Sequence, residues 1–443
     1  MTSTRALALG IAAALVVGLA ATTAPAASVR QAATQATEVG VTASTIRIAV
    51  VADVSNPIRP GLFASVPTAV KAFATYINRR GGLAGRRVVV DFIDSHLSNS
   101  EARNAMITAC GQDFAIVGTA ALFLSNVDDM IGCKDRAGAA TGIPDLPIVT
   151  TEIVEQCSPI SFPVNPPQLD CATRFERPQT YRVNRGPIQY YERTRFRSLH
   201  GVGVFSNDIR SAAVSQQVLI RGANAGGVRP DGEFGLSALS PQAAYTVPAQ
   251  AMVTKGSNYA MATSTYDSTI SLRREAGVQG VNAQSVVWDC YSQCYDPQFL
   301  RHGASDVEGQ YLTLSQLPFE EAKSNAALAS YLRYAGRANV DGFGAYAWIS
   351  SLLFRDAVNS AVAHSGRNGL TRRALLTALA GETSFNADGM WGTTDVAHRA
   401  PSPCFLSMRV VHGRFKRVYP TQPGTFDCRP SNRITIREDL ATG

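Results

Sequence analysis

"YTVPAQAMVTKGSNYAMATST", Tyr245–Thr265, is the stretch whose reading decides the fold. Pro248 to Thr254 reads as a short amphipathic helix. Lys255-Gly256 stops it, since glycine most readily takes the left-handed conformation just past a helix end. Tyr259-Ala260-Met261-Ala262 is then a brief apolar run bounded by turn residues, as expected of a strand buried on both faces. Three small hydroxyl residues follow: Thr263, Ser264 and Thr265. This is one helix-to-strand step of an α/β sheet, and ligands of such sheets sit beyond the carboxyl ends of the strands.

Outward from this stretch the same step recurs. "TIRIAVVAD" (Thr45–Asp53) predicts a strand, "ASVPTAVKAFATYINRRGG" a helix ending at Gly81-Gly82, and "RRVVVDFIDS" a second strand. "NSEARNAMITACGQ" is a helix with Glu101 in its first turn, "FAIVGT" a third strand, "SNVDDMIGCKDRAGA" a helix and "LPIVTT" a fourth strand. Residues 155–180, with "CSPISFPVNPPQLDC", break the rhythm. It resumes with a helix near 186–195, strand "GVGVFSND", a helix over 211–223, strand "GLSALS" and the quoted step. "DSTISLRREAGV", "SVVWDC", "PQFLRHG" and "VEGQYLTL" complete a second block. The long helix "GAYAWISSLLFRDAVNSAVAHSG" and the helix "TRRALLTALAGE" come next, and "CFLSMRVVHGRFKRVYP" closes as a hairpin around Gly413. The prediction is an α/β protein of two doubly wound βα blocks in series.

Composition agrees. The chain has 443 residues, of which 45% are hydrophobic and only 17% charged, enough for a large core and two or three domains. A mean hydropathy of -0.01 excludes a mostly disordered chain. The net charge of +7 comes from scattered arginines without a basic run or an aromatic-interleaved stripe, so no nucleic-acid partner is expected. The amino terminus has Arg5, an apolar run from Ala6 to Ala21 and Ala24-Pro25-Ala26, the three parts of a signal peptide over residues 1–27. The run is short for a membrane span and lacks a basic stop. No cysteine near the cleavage point encodes a lipid anchor. Residues 28–44, rich in Ala, Thr and Gln, read as a tether, and 431–443 as a tail.

An exported chain keeps cysteines as disulfides. The eight are Cys110, Cys133, Cys157, Cys171, Cys290, Cys294, Cys404 and Cys428. Their number leaves the connectivity open; the simplest pairing joins neighbours, 110 with 133, 157 with 171, 290 with 294 and 404 with 428. Without a CxxC pair or clustered histidines, no metal site is expected. There is no G-x-S-x-G elbow, P-loop, HExxH or kinase set. "GVGVFS" lacks the third glycine of a dinucleotide fingerprint, so no cofactor is expected. Asp53, Asp94, Asp208 and Asp289 fall at strand ends, where a carboxylate either lines a cleft or caps the next helix.

Taken together, these residues resemble the type I periplasmic solute-binding proteins of the branched-chain amino acid ABC importer class, over about residues 45–425. The resemblance is carried by "TIRIAVVADVSNPIRPG", "KAFATYINRRGGLAGRRVVVDFID", "FAIVGT", "AYTVPAQAMVTKGSNYAMATS" and "GFGAYAWISSLLFRDAV", in that order. It implies lobe 1 over 45–182 and 316–395 and lobe 2 over 183–315 and 396–430. Three crossings near Tyr181–Gly186, Leu314–Phe319 and Trp391–Arg399 would close the lobes on a ligand by hinge bending. It further implies a monomer, not an enzyme, that delivers a small solute to membrane permease and ATPase subunits. That solute would be an amino acid or a related small amphipathic or carboxylate compound. A ligand sensor of the same fold and a secreted α/β enzyme are the competing readings.

The expected ligand contacts are Thr119, Ala121 and Phe123 after the third strand, Thr151 after the fourth, and Phe343 on the long helix. The second lobe would add Asp208, Ser264, Tyr266, Asp289 and Tyr291. Ala121 and Leu122 stand where relatives place a Ser, so a less polar or differently charged ligand fits as well. The picture is an aromatic-walled pocket, in which Tyr266→Ala is expected to weaken binding by roughly 1–3 kcal/mol and leave stability unchanged.

Overall fold

The computed structural model describes residues 33–56, 59–208 and 210–440, so the expected signal peptide lies outside the described residues. Strands β1 (Thr45–Ala52), β2 (Arg87–Asp94), β3 (Ala115–Val117) and β4 (Asp145–Leu146) form a parallel sheet in the order β2-β1-β3-β4. After β5 (Gln179–Asn184), strands β6 (Leu199–Ser206), β7 (Val228–Leu236), β8 (Tyr259–Ala262) and β9 (Val287–Asp289) repeat the arrangement as β7-β6-β8-β9. In each half the second strand lies on one side of the first and the third and fourth on the other, so both halves share one topology. Strands β10 (Tyr311–Leu314), β11 (Leu406–Val411) and β12 (Arg414–Tyr419) form an antiparallel sheet, and β13 (Arg433–Glu438) pairs antiparallel with β5.

The first half is built on helix Ser65–Asn78. Its Val66, Ala69, Val70, Phe73 and Ile77 recur at helical spacing and are all buried. They meet the long helix Gly342–Ser365, where Phe73 and Trp348 stand edge to face at 5.8 Å. Ser350 Oγ donates to the Leu146 carbonyl at 2.7 Å and locks this helix to β4. The Asp341 carboxylate caps its start, accepting the Gly344 N–H at 2.8 Å and the Ser65 hydroxyl at 2.6 Å. Gly342 is needed for a different reason. A Cβ there would lie 2.6 Å from the Ser292 carbonyl oxygen, so only glycine lets the long helix touch the loop beyond β9.

Four features differ from the sequence reading. The helix expected over residues 125–139 is only Asp128–Ile131. Beyond it, Asp135 accepts the Ala137 and Ala139 N–H groups and the Thr141 hydroxyl, which favours a turn over helix. The strand expected at 235–240 starts earlier, as β7, and Ser237 and Ala238 instead hydrogen-bond Asp208. The described part of the tether is clasped. Glu38 accepts N–H groups from Arg136 and Arg372 at 2.8 and 3.1 Å, Thr37 donates to the Leu370 carbonyl at 2.6 Å, and Val41 is buried. The tail is the strand β13. The neighbour pairing of cysteines is the one observed, in four disulfides, with no free cysteine among the described residues.

Candidate functional site

A cavity of about 270 Å³ opens between the two halves. Thr150 and Thr151, just beyond β4, line it from the first half; Ser215 and Gln216, on helix Arg210–Gly226, line it from the second. β5 adds Arg182 and Asn184. The long helix starts at this cavity and turns Phe343 and Tyr346 into it.

The loop beyond β9 is covalently shaped. Cys290 and Cys294, both fully buried, form a disulfide around Tyr291, Ser292 and Gln293, and all three enclosed residues line the cavity. Ser292 Oγ and the Tyr346 hydroxyl are 2.5 Å apart, and Gln293 Nε2 reaches the Ala262 carbonyl at 3.5 Å. Tyr346 in turn stands edge to face with Trp391, ring centroids 4.9 Å apart. Trp391 Nε1 donates to Thr394 Oγ1 at 3.0 Å. The aromatic wall is therefore fixed by its own hydrogen bonds before any ligand arrives.

Charge is nearly absent from this wall. Among the described residues no Asp or Glu lines the cavity, and the one charged residue there, Arg182, is paired with Asp170 at 2.6 Å. Burial, followed by the nearby Asp289 carboxylate, pushes the Tyr291 hydroxyl well above its ordinary value. Burial pushes the Tyr346 hydroxyl up to about 12, against the Ser292 hydrogen bond. Both stay neutral and act as hydroxyl donors and acceptors. The site thus offers amides, hydroxyls and rings, suited to orienting an uncharged or weakly charged group. Among the described residues no group of His, Cys, Asp and Glu is placed to hold a metal ion.

Of the ten expected contacts, Thr151, Tyr291 and Phe343 line the cavity. The other seven do not. Thr119 is fully buried and donates to Asp145 at 2.5 Å, and Ala121 is fully buried beside it in sequence. Phe123 and Ser264 are half-buried off the cavity. Asp208 is exposed and holds the turn after β7. Asp289 points into its own half, accepting hydroxyls from Tyr191 and Tyr259 at 2.9 and 3.0 Å, and burial pushes it up to about 7. Asp53 likewise ties three loops together, through Ser95, Leu97 and Leu122. Asp53 and Asp208 thus serve loop geometry, and Asp289 joins a helix to a strand of its own half.

Tyr266 is 2% exposed and starts helix Tyr266–Val278. The Arg59 guanidinium lies 3.9 Å over its ring and pairs with Asp296 at 3.2 Å. This cluster borders a separate, charged recess of about 510 Å³. Sequence reasoning missed Gln168, Ser215, Tyr346 and Trp391 as cavity residues. The available signals were the Cys-x₃-Cys bracket around 291–293 and the proline-rich break that ends in Gln168.

No curated protein is significantly similar to the chain in sequence. The family profile described as periplasmic binding protein matches residues 45–414. Among solved structures, a fatty acid ABC transporter substrate-binding protein from Thermomonospora curvata is 16% identical, with a TM-score of 0.65 over 89% of this chain and 98% of that one. An ABC transporter substrate-binding protein from Aeropyrum pernix is 13% identical, with a TM-score of 0.68 over 90% and 98%. The branched-chain amino acid transporter substrate-binding protein of Streptococcus pneumoniae, solved with isoleucine, is 16% identical, with a TM-score of 0.60 over 85% and 100%. At these identities the likeness is one of fold.

Proposed function

Since the chain belongs to the periplasmic binding protein family, we propose that it captures a small amphipathic solute between two lobes and hands it to an ABC importer. The lobes are 45–182 with 316–395 and 183–315 with 396–430, and they close by bending at the three crossings. The protein acts outside the cytoplasm, as a monomer, and performs no chemistry on the solute. Among the described residues, no helix is long and apolar enough to cross a membrane.

One observation carries the choice of solute: neutral amides, hydroxyls, aromatic rings and one arginine line the cavity, and among the described residues no carboxylate does. A buried ammonium without an anionic partner costs several kcal/mol or loses its proton. The lining therefore favours an amide, a hydroxylated compound or, beside Arg182, a carboxylate over a zwitterionic amino acid, whose ammonium finds no anion there. The family's solved relatives bear names spanning both choices, a fatty acid transporter protein and one solved with isoleucine.

A thermal-shift screen of amino acids, amides, short carboxylates and polyols tests this. A true solute at one hundred times its Kd stabilises the protein by about 2.7 kcal/mol through mass action. Scattering should show compaction in the same solution. A best ligand whose affinity is untouched by both Tyr291→Ala and Phe343→Ala would place the site elsewhere.

A further inference from the structure

Beside the central cavity lies a second of the same size, about 270 Å³. Thr151, Gln168 and Ser215 line both, so the two meet at a waist of three side chains. Ile153 and Val154 form one apolar wall of this side chamber, Val214 and Val218 another, and Leu169 and Tyr181 add to the lining. The Cys157–Cys171 disulfide joins the segment after Ile153–Gln156 to the segment after Leu169, so two of these walls are covalently linked.

Three polar side chains of the chamber wall are engaged within the protein; Ser125, Glu152, Arg210 and Ser211 also line it, the Ser211 hydroxyl being buried without a partner among the described residues. The Tyr181 hydroxyl donates to Gln179 Oε1 at 2.7 Å, Gln156 Nε2 to the Thr151 carbonyl at 2.8 Å, and Thr151 Oγ1 to the Leu122 carbonyl at 2.8 Å. Groups bonded inward have little to offer a ligand, so along Ile153, Val154, Leu169, Val214 and Val218 the chamber provides apolar contact. Val154, 45% exposed, is an aliphatic surface open to an entering chain.

Size separates one chamber from two. A single cavity of about 270 Å³ falls below the roughly 300–1,000 Å³ of small-molecule sites, and the two joined fall within it. We infer that the side chamber takes the unbranched aliphatic tail of the solute whose polar end sits in the central cavity, making the substrate class a medium-chain aliphatic carboxylate or carboxamide. This rests on the reading of capture between lobes. The planar head suits the amides of Asn165, Gln168 and Gln293 that line the central cavity.

The test is calorimetric titration of the purified protein with butanoate, hexanoate, octanoate and decanoate, and with the matching primary amides, which tell the two heads apart. Kd should fall about fourfold per added methylene, the equivalent of about 0.8 kcal/mol, until the chamber is full. Val214→Trp should abolish that dependence and leave butanoate affinity within about twofold. Ile153→Trp plugs the chamber from the other wall, should Val214→Trp fail to fold. Affinity independent of chain length, or a length dependence that survives both plugs, overturns the inference. So does the absence of binding by every probe. In that case, a compact solute whose binding is lost in Tyr291→Ala leaves capture between lobes standing, while one indifferent to Tyr291→Ala sinks both.

Discussion

Two segments occupy matching places in the two parallel sheets, Thr150–Thr151 beyond β4 and Tyr291–Gln293 beyond β9, and they are held in opposite ways. The first is kept by hydrogen bonds alone, Thr151 Oγ1 to the Leu122 carbonyl and Gln156 Nε2 to the Thr151 carbonyl, each at 2.8 Å. The second is stapled by Cys290–Cys294 and wedged against Tyr346. One topology thus presents a compliant contact and a preformed one to the same cavity. A preformed wall spares ordering entropy on binding, and a compliant one accommodates variation in the ligand.

The largest expected effect tests whether the sheets also match in buried charge. Asp145 on β4 and Asp289 on β9 are both fully buried, and burial pushes each up to about 7. From an ordinary value of 3.8, each shift amounts to about 4 kcal/mol, at about 1.4 kcal/mol per unit. Between these values the folded protein holds a proton that the unfolded chain has lost. Stability is therefore full below about pH 4 as regards these groups and declines as pH rises to about 7. The thermal midpoint should drop over that window. Asp145→Asn and Asp289→Asn should each flatten the decline, and a slope unchanged in only one would break the symmetry.

Next in size is the effect at Tyr266, set against Tyr291 in the same half. Tyr266, buried under Arg59, should cost about 3–5 kcal/mol of stability when truncated to Ala and leave solute affinity alone. That reverses the outcome expected from sequence. Urea unfolding read beside calorimetry decides it.

Opening the disulfides sharpens the comparison itself. Cys157–Cys171 spans 14 residues and Cys290–Cys294 only 4, so chain entropy gives roughly 3 kcal/mol for the first and roughly 2 for the second. The double Ser variant at 290 and 294 should nonetheless show the larger drop in affinity for a compact solute held in the central cavity alone. Equal losses would mean that the staple serves stability alone.

The smallest effect is on the contacts themselves. Tyr291→Ala should weaken binding by about 1–3 kcal/mol, and Thr151→Ala by about 0.5–1.5 kcal/mol. A larger loss at Thr151 would make the compliant segment the anchor.

The βα alternation was legible because apolar runs and turn residues are local signals. "TIRIAVVAD" gives β1, and "HG" at 412–413 gives the turn between β11 and β12. Neighbouring cysteines pair for the same reason. What escaped depends on partners remote in sequence. "RITIRE" has too few apolar residues to declare itself a strand until β5 lies beside it. Glu38 reads as a tether residue until Arg136 and Arg372 supply its hydrogen bonds. The site was legible only in part because a strand end can face either way. Asp289 and Thr119 turn into their own half, whereas Tyr291, two residues past Asp289, reaches the cavity.

The pairing of β13 with β5 has a practical consequence. Six residues, Arg433 to Glu438, run beside β5, which overlaps the proposed crossing near Tyr181–Gly186. A dye attached at Asp439 or Leu440 would therefore ride on β5. Tethering the protein to a sensor chip at that point would pull on the strand that the proposed closure would bend, whereas a fluorophore placed there would sit well for testing it.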